Sequence, residues 1–305
     1  MGLYFTGDIH GNAVKRFGYK IQPWMRELTK DDYIFVLGDC GIPWYNPELK
    51  FYDYWTKPGT EKEEIYQLEW LNSRPENYIF IQGNHDNIEL IHEMPYTKLG
   101  NADVRQMFYI NKTYNNIFYI DTPQFMYLQG KKMLIIPGAD SHDMDILFDA
   151  YEEYAKEDIK EYEYYCKKHG QECFYRIKHF SWWEDEKVDE KKVQELLPKI
   201  PKEVDMILTH APCAAVHSSW KPQGAPARLI PSASEVVLED VRKQIKYDIW
   251  LHGHLHETVE LPFLSSLGIY YQVLSEEDVE NIVKNWKIEE KYRKENLAAI
   301  QWYNS

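Results

Sequence analysis

Six short apolar runs, each followed at once by turn-forming or polar residues, constrain how this chain can fold. Such runs are typical of buried β-strands, and they lie at 3–7, 33–38, 78–83, 132–138, 204–210 and 247–253. Helical patterns separate several of them and lie at 13–28 (interrupted by Pro23), 61–73 and 231–245. Ser232 and Glu235 have the spacing of a capping box at the start of the last helix. This alternation of strands and helices predicts an α/β architecture.

Two regions depart from the alternation. Residues 117–138 contain three β-rich runs joined by short turns, which predicts an antiparallel meander and therefore mixed β-sheets. Residues 145–186 are acidic, aromatic and mostly helical in pattern, and they separate two strand-rich halves. We expect them to form a helical insertion or cap on a single domain of residues 1–305; a plain pair of surface helices is the alternative. Residues 275–305 predict a charged, helical C-terminal extension with no assigned role.

The composition argues against several classes of protein. The formal net charge is −14, from 49 acidic and 35 basic side chains, so binding to long DNA or RNA is not expected. The chain has no apolar run of about 18 residues, as a membrane span needs, and no signal-peptide pattern at its start. The cysteines are scattered, as reduced thiols are, at Cys40, Cys166, Cys173 and Cys213. We therefore expect a cytoplasmic protein without a membrane partner.

Side chains of the types that bind metals follow five of the six predicted strands. They are Asp8, His10, Asp39, Asn84, His85, His210, His252, His254 and His256. Asp8 and His10 point to the same side of an extended backbone, because alternate residues share a face. The carboxyl ends of successive strands converge on one edge of a sheet. Each motif alone has an ordinary structural explanation, but together, in this order, they predict a metal site.

The motifs resemble those of the calcineurin-like metallophosphoesterase family over residues 1 to about 260. The family's D-x-H, G-D, G-N-H-[DE], lone H and G-H-x-H motifs appear in order as Asp8-Ile9-His10, Gly38-Asp39, Gly83-Asn84-His85-Asp86, His210 and Gly253-His254-Leu255-His256. The resemblance implies a four-layer α/β/β/α sandwich with mixed β-sheets. The stretches PGADS (137–141) and SWW (181–183) also resemble bacterial and phage members of unassigned substrate.

The resemblance further implies two divalent metal ions. Asp8, His10, Asp39 and His256 would hold the first, and Asp39, Asn84, His210 and His254 would hold the second, with Asp39 as the bridge. Two cations roughly 3.5–4 Å apart lower the pKa of a shared water, so that a bridging hydroxide can attack phosphorus. His85 is implied to be catalytic, as the donor of a proton to the leaving oxygen. Imidazole, carboxylate and amide ligands suit Mn, Fe, Ni, Co or Zn, and we favour manganese.

The second motif reads GDCGIPWYN and lacks the second Asp and the Arg of the G-D-x-x-D-R-G motif of serine/threonine protein phosphatases and dinucleoside tetraphosphatases. The third motif ends in Asp86, where those phosphatases have Glu. We therefore expect the partner to be a small phosphoester, with a nucleotide-type phosphodiester favoured. The alternatives are a phosphomonoesterase, protein phosphatases included, and a non-catalytic binding scaffold of the same fold. A DNA nuclease would need a basic track, and no clustered Lys/Arg run supplies one.

Several side chains near the motifs keep open roles. The aromatic residues of the insertion either cover the site and stack a base or bury themselves against the sandwich, and they include Phe148, Tyr151, Phe180, Trp182 and Trp183. We expect His142 in a turn or at the site, His252 in the core or supporting a ligand, and Asp86 orienting a histidine or capping a helix. Packing is the expected role of Cys40 and Cys213. The sequence predicts no oligomeric state.

Overall fold

The computed structural model of the chain describes residues 1–44, 61–141, 144–149, 153–171, 173–220 and 230–303, with only the backbone described for 153–157 and 292–303. The strands are β1 (Leu3–Thr6), β2 (Tyr33–Val36), β3 (Asn77–Ile81), β4 (Tyr96–Leu99), β5 (Ala102–Tyr109), β6 (Lys112–Ile120), β7 (Gln124–Leu128), β8 (Lys131–Ile136), β9 (Ile146–Phe148), β10 (Tyr175–Ile177), β11 (Glu203–Thr209), β12 (Lys246–His252), β13 (Val259–Leu261), β14 (Ser266–Gly268) and β15 (Leu274–Ser275). The α-helices are α1 (Ala13–Phe17), α2 (Glu61–Asn72), α3 (Ile88–Glu93), α4 (Glu153–His169), α5 (Glu190–Leu196), α6 (Ala214–Ser219), α7 (Ala233–Gln244) and α8 (Glu276–Tyr303). Short 3-10 helices lie at Pro23–Glu27, Glu184–Glu186, Leu197–Lys199 and Pro262–Leu264.

Two mixed β-sheets carry the fold. The first has the strand order β15-β1-β2-β3-β6-β5-β4 and the second the order β13-β14-β12-β11-β8-β7. The central strands are parallel in both sheets, β1, β2, β3 and β6 in the first and β8, β11, β12 and β14 in the second. The outer strands pair antiparallel. The prediction of mixed sheets is confirmed, and the parallel centres bring the carboxyl ends of several strands to one edge.

The sheets pack face to face and helices cover their outer faces, so the predicted four-layer α/β/β/α sandwich is confirmed. Strand β2 shows why, because Phe35 faces the core between the sheets whereas Ile34 and Val36 face the outer helices. A strand covered on both faces is apolar throughout. Helices α1 and α2 pack on the first sheet, and α5, α6 and α7 pack on the second.

The helical predictions hold with one change of boundary. The pattern at 13–28 forms α1, which ends at Phe17, followed by the 3-10 helix that starts at Pro23. The backbone is already extended at Gly18, so the break begins before the proline. The predicted capping box of α7 is confirmed: the Ser232 hydroxyl accepts from the backbone of Glu235, and the Glu235 carboxylate accepts from the backbone of Ser232.

The predicted meander at 117–138 is wrong in part. Strands β7 and β8 form an antiparallel pair in the second sheet, but β6 lies in the first sheet between β3 and β5. The chain therefore changes sheets at 121–123, and β6 does not pair with β7. Local β-propensity marks both strands, but it does not show which sheet receives each of them. The hairpin of β4 and β5 was not predicted.

Within 145–186, β9 and β10 pair in parallel and α4 lies between them in sequence. Ile159, Tyr175 and Ile177 form a small core there, against which Phe148 and Phe180 pack. Beyond β15, helix α8 places Val279 and Trp286 in the core between the sheets. No helix within the described ranges combines the length and the apolar character needed to cross a bilayer.

Candidate metal centre

Four of the predicted ligands form a compact group beyond the ends of β1, β2 and β12. One ligand atom from each side chain lies within 4.8 Å of the others, and the group consists of Asp8, His10, Asp39 and His256. Asp8 is buried, whereas His256 is the most exposed of the four. These are the four residues that the family resemblance assigns to the first metal.

A second group adjoins the first and shares Asp39 with it. The Nε2 atom of His210 lies 3.1 Å from Oδ1 of Asn84 and 3.1 Å from Oδ1 of Asp39. The Nδ1 atom of His254 lies 3.2 Å from the same nitrogen of His210. All seven predicted ligands therefore come together at one edge of the sandwich, with the carboxylate of Asp39 between the two groups.

The chemistry of these donors fits divalent metal ions. Asp39 is 1% exposed, and its Oδ2 atom has no hydrogen-bond partner within the described part of the chain. A buried carboxylate oxygen is costly without a partner, and a cation would supply one. Two carboxylates, four imidazoles and one amide oxygen form a set that suits first-row transition metals. The residues present can thus hold two ions that share Asp39.

The charges inside the site are strongly coupled. Burial, assisted by the charge of Asp39, raises the pKa of Asp8 to about 7, and burial lowers the pKa of His10 to about 3. Burial also disfavours a charged His210, but the carboxylates of Asp39 and Asp8 outweigh it and raise the pKa of His210 to about 9. A bound cation favours ionised carboxylates and neutral imidazoles, so metal binding must displace protons here.

Backbone strain is concentrated at the predicted ligands. Five of them have positive φ angles, namely Asp8 (48°), His10 (43°), Asp39 (52°), His254 (69°) and His256 (51°). Residues other than glycine adopt this left-handed region at a cost of about 1 kcal/mol or more each. Such strain clusters at functional sites, where it aims side chains at a ligand. Here it redirects the chain after β1, β2 and β12, the strands that the five residues follow.

Two motif glycines are required by the close approach of the ligands. Gly38 has a φ of +88°, and a Cβ atom there would lie 2.1 Å from Nδ1 of His210. A Cβ atom at Gly83 would lie 2.2 Å from Oδ1 of Asp39. A side chain at either position would collide with a predicted ligand, which explains the glycines that precede Asp39 and Asn84 in the sequence.

His85 lies beside the first group without being one of its members. Its backbone N–H donates to Oδ1 of Asp39 at 2.8 Å, and its ring lies 5.1 Å from the ring of His10, centroid to centroid. The Nη2 atom of Arg176, on β10, lies 2.8 Å from Nε2 and 3.0 Å from Nδ1 of His85. Sequence reasoning missed this arginine, because no local motif marks a residue that meets His85 from 91 positions away.

Asp86 ties two motif loops together. Its carboxylate accepts from the backbone N–H groups of Gly41 and Gly83, both at 2.8 Å, and from the hydroxyl of Tyr119. Among the described residues, Asp86 has neither of the two roles that were expected of it, orienting a histidine or capping a helix. The N-cap of α3 is Asn87, whose side chain accepts from the backbone of Leu90.

Of the remaining residues whose roles the sequence left open, some are buried in the core and the others lie outside the described residues. His252 is fully buried at the end of β12, where burial lowers its pKa to about 4, and it stands outside both ligand groups. Cys40 and Cys213 are buried free thiols, in line with a packing role. His142 and Tyr151 lie outside the described residues.

Three of the aromatic side chains that were expected either to cover the site or to bury themselves pack against other side chains, namely Trp183, Phe148 and Phe180. Trp183 is 2% exposed and packs against Trp44, with ring centroids 5.6 Å apart, and against Ile88. The stacking hypothesis is therefore wrong for Trp183. Phe148 and Phe180 are occupied within the insertion's own core.

An open cleft of about 470 Å³ adjoins the first ligand group. Its walls include His10, His85, His256, Lys15, Tyr270 and Tyr271. The ring of Tyr270 stacks on His256 at 5.1 Å, and Tyr271 is 65% exposed. The lysine and both tyrosines were not singled out from the sequence, because they belong to no motif.

The fold and this site together define a metallohydrolase with ligands at converging strand ends. A family model described as calcineurin-like phosphoesterase matches residues 1–258, and the chain belongs to this family. Family and ligand cluster together support metal-dependent hydrolysis of a phosphoester.

Two further comparisons add little. No curated protein sequence matches the chain. Among solved structures, the phosphopantetheinyl hydrolase PptH from Mycobacterium tuberculosis matches with 15% sequence identity and a TM-score of 0.36, over 88% of each chain. A similarity of that size carries no conclusion about this protein.

Proposed function

We propose that the protein hydrolyses a small phosphodiester of the nucleotide type at a centre of two divalent metal ions, with manganese as the favoured metal. The observation that carries the proposal is the sharing of Asp39 by two adjoining ligand groups. Asp8, His10 and His256 complete one group, and Asn84, His210 and His254 complete the other. When bound, two such ions supply a water of lowered pKa and neutralise phosphate oxygens.

His85 is the proposed proton donor to the leaving oxygen. Its ring stands at the edge of the first ligand group and lines the open cleft. The Nη2 atom of Arg176 lies near both ring nitrogens, and the one that accepts from it leaves the single proton of a neutral imidazole on the other. That proton passes to the leaving oxygen as the bond from phosphorus to that oxygen breaks, and the positive guanidinium stabilises the deprotonated ring that remains. The hydrogen bond from the backbone N–H of His85 to Asp39 keeps this proton donor at a fixed distance from the shared carboxylate.

The cleft supports a small substrate with an aromatic part. Its volume of about 470 Å³ is within the range of small-molecule sites. Tyr271 offers an exposed ring on which a base can stack, and the exposed Lys15 offers a cation to a second charged group. The chain as a whole carries a charge of −14, which disfavours long polyanions but leaves a small anion free to enter.

A substrate screen of the manganese-loaded protein tests the proposed class. The panel consists of cyclic mononucleotides, cyclic dinucleotides, dinucleoside polyphosphates, phosphopeptides and sugar phosphates. We expect a nucleotide diester to give the highest kcat/KM. Faster hydrolysis of phosphopeptides or sugar monophosphates than of every nucleotide would contradict the proposal and favour a phosphomonoesterase.

A matched pair of variants tests the cleft. Tyr271→Ala should raise KM for nucleotides by roughly tenfold, since loss of one base-stacking contact costs about 1–3 kcal/mol. Tyr127→Ala is the control, because Tyr127 is comparably exposed, at 52%, on β7 and is not among the cleft residues. Equal KM values for the two variants would remove Tyr271 from the substrate site.

Metal analysis separates a hydrolase from a binding scaffold. After reconstitution with excess manganese, the bound metal should approach two equivalents per chain and activity should follow the second equivalent. Full activity at one equivalent would contradict the two-metal centre. Failure to bind metal would favour the scaffold.

A further inference from the structure

We propose that Arg176 is a positioning residue of the phosphoester reaction, which acts by holding the imidazole of His85 against the metal-ligand groups. This inference rests on the function proposed above for the site. It makes the insertion, residues 145–186, a part of the reaction centre instead of a cover over it.

The contact between Arg176 and His85 is buried. Arg176 is 0% exposed and His85 is 7% exposed. A guanidinium group has donors only, so its N–H can meet the His85 ring only at an unprotonated ring nitrogen. Burying an arginine is costly unless its donors find partners, and the distances of 2.8 and 3.0 Å place one donor on this ring.

The insertion holds Arg176 firmly enough to orient another side chain. Its neighbours Tyr175 and Ile177 belong to the insertion's core. The backbone N–H of Ile177 donates to the hydroxyl of Ser181 at 2.9 Å, and β10 pairs with β9. The guanidinium is planar and rigid, so it fixes a partner's direction better than a flexible ammonium does.

Two further residues of the segment 145–186 support the chain that follows β3, which carries Asn84 and His85. Trp183 packs against Ile88, three residues after His85. Glu186 accepts from the backbone N–H of Ser141 at 2.8 Å, and the Ser141 hydroxyl lies 3.3 Å from Nδ2 of Asn84. The insertion and the preceding loop thus touch a predicted metal ligand, the proposed proton donor and the start of α3. Among the contacts described here, the one from Arg176 reaches the ring of His85 itself.

A double-mutant cycle with His85→Asn tests this role. Arg176→Met should lower kcat by about 10- to 100-fold with little change in KM, because misplacement of a catalytic group by about 1 Å costs that much. In the His85→Asn background the same replacement should change kcat by no more than about twofold, since residues that act as a unit are not additive. Additive losses would mean that Arg176 acts independently of His85 and would overturn the proposal.

Two other variants test whether the effect of Arg176→Met comes only from the loss of a positive charge or from impaired folding. Lys178→Met removes a cation from the same segment, one that pairs with Asp149, and should leave kcat unchanged. Arg176→Lys keeps the charge and should stay folded, as thermal melting can show, but it should not restore kcat. Full restoration by lysine would show that charge alone suffices and would overturn the positioning role.

The contact can also be measured without turnover. In ring ¹H–¹³C spectra of the zinc-loaded protein, the His85 signal is the one that His85→Asn removes. Arg176→Met should shift this signal and Lys178→Met should not. An unchanged His85 signal in Arg176→Met would overturn the proposal. A shifted signal with no turnover of any phosphoester would overturn the reaction role and place the failure in the proposed function.

Discussion

Replacement of Arg16 by methionine should destabilise the fold and weaken metal binding together. Arg16 lies in α1 and is 8% exposed. One guanidinium nitrogen donates at 2.5–2.7 Å to three oxygens, those of the Thr6 side chain, the Gly7 backbone and the Tyr270 backbone. The other lies 3.2 Å from the backbone oxygen of Asp8. The arginine thus joins the end of β1 to the loop that carries Tyr270, whose ring stacks on His256.

The magnitude follows from the bonds that are lost. Hydrogen bonds from a charged donor contribute about 1.5–3 kcal/mol each, but bonds made by one group do not add fully. Methionine fills part of the space yet leaves buried oxygens without donors. We therefore expect Arg16→Met to lower the free energy of unfolding by about 3–5 kcal/mol. Because the carbonyl of Asp8 loses its donor and His256 loses a fixed neighbour, metal affinity should fall by about 10- to 100-fold.

Urea denaturation with chelator present gives the free energy of unfolding, and titration of the chelated protein with metal gives the affinity. Arg26→Met is the control, because Arg26 is exposed and its guanidinium lies 5.0 Å from the Tyr19 ring centroid. The control should stay within about 0.5 kcal/mol of the wild type. A loss of less than about 1 kcal/mol in Arg16→Met, or an unchanged metal affinity, would refute the reasoning.

Three further predictions concern single residues of the site. Asp39→Asn should reduce activity more than any other ligand replacement and lower bound metal below two equivalents, by kinetics and elemental analysis; near wild-type rates would contradict the bridge. Gly38→Ala should cost about 2 kcal/mol or more and impair metal binding, since its Cβ would meet His210. Gly130→Ala is the control, because φ there is +82° and nothing lies within 4 Å of the added Cβ, so it measures only the backbone cost. Equal losses of stability in Gly38→Ala and Gly130→Ala would exclude a collision with His210. Burial raises the pKa of Glu186 from 4.5 to about 7, so between these pH values the folded state binds a proton at Glu186 that the unfolded state lacks, and the stability contributed by Glu186 is lost as pH rises through this range. With chelator present, this loss should appear as a difference of about 3 kcal/mol between the stability–pH profiles of the wild type and Glu186→Gln; parallel profiles would contradict the shift.

The central strands and the clustering of the predicted ligands could be anticipated because both leave local traces in the sequence. Ile34, Phe35 and Val36 form a continuous apolar run, since β2 is covered on both faces. Each predicted ligand follows such a run within a few residues, and the glycines beside Asp39 and Asn84 record the close approach of His210 and Asp39. The local sequence is therefore sufficient to locate residues whose place is determined by a turn at the end of a strand.

The edge of the first sheet was harder to predict. Strand β5 alternates between buried and exposed residues and includes Arg105 and Gln106, so its apolar signal is weak. The distribution of β6 and β7 between two sheets depends on packing across the whole molecule. Period and propensity are the same for a strand in either sheet, which is why the meander was assigned wrongly.

The contributions of Arg16 and Arg176 could not be predicted, and the physical reason is the same for both. A buried guanidinium is stable only where several acceptors converge, and that convergence exists only after distant segments have assembled. In the sequence, Arg176 stands near Lys178 and His179 and resembles a surface cation. In the structure it meets His85, while Trp183 from the same segment is buried against Trp44.

The sequence suggested that the segment 145–186 selects the substrate. The structure instead associates this segment with His85 and associates substrate selection with the cleft at Tyr271. In the proposed mechanism, the segment 145–186 governs proton delivery, because its Arg176 reaches His85. The open cleft also borders His85, but Lys15 of α1 and the loop that carries Tyr271 form its outer wall, and its lining contains no described residue of 145–186. Changes at Tyr271 should therefore alter which phosphoester is preferred and leave the sensitivity to the leaving group as it is. Changes at Arg176 should do the reverse, because a misplaced His85 hinders alkoxide leaving groups more than nitrophenolate, which needs less protonation.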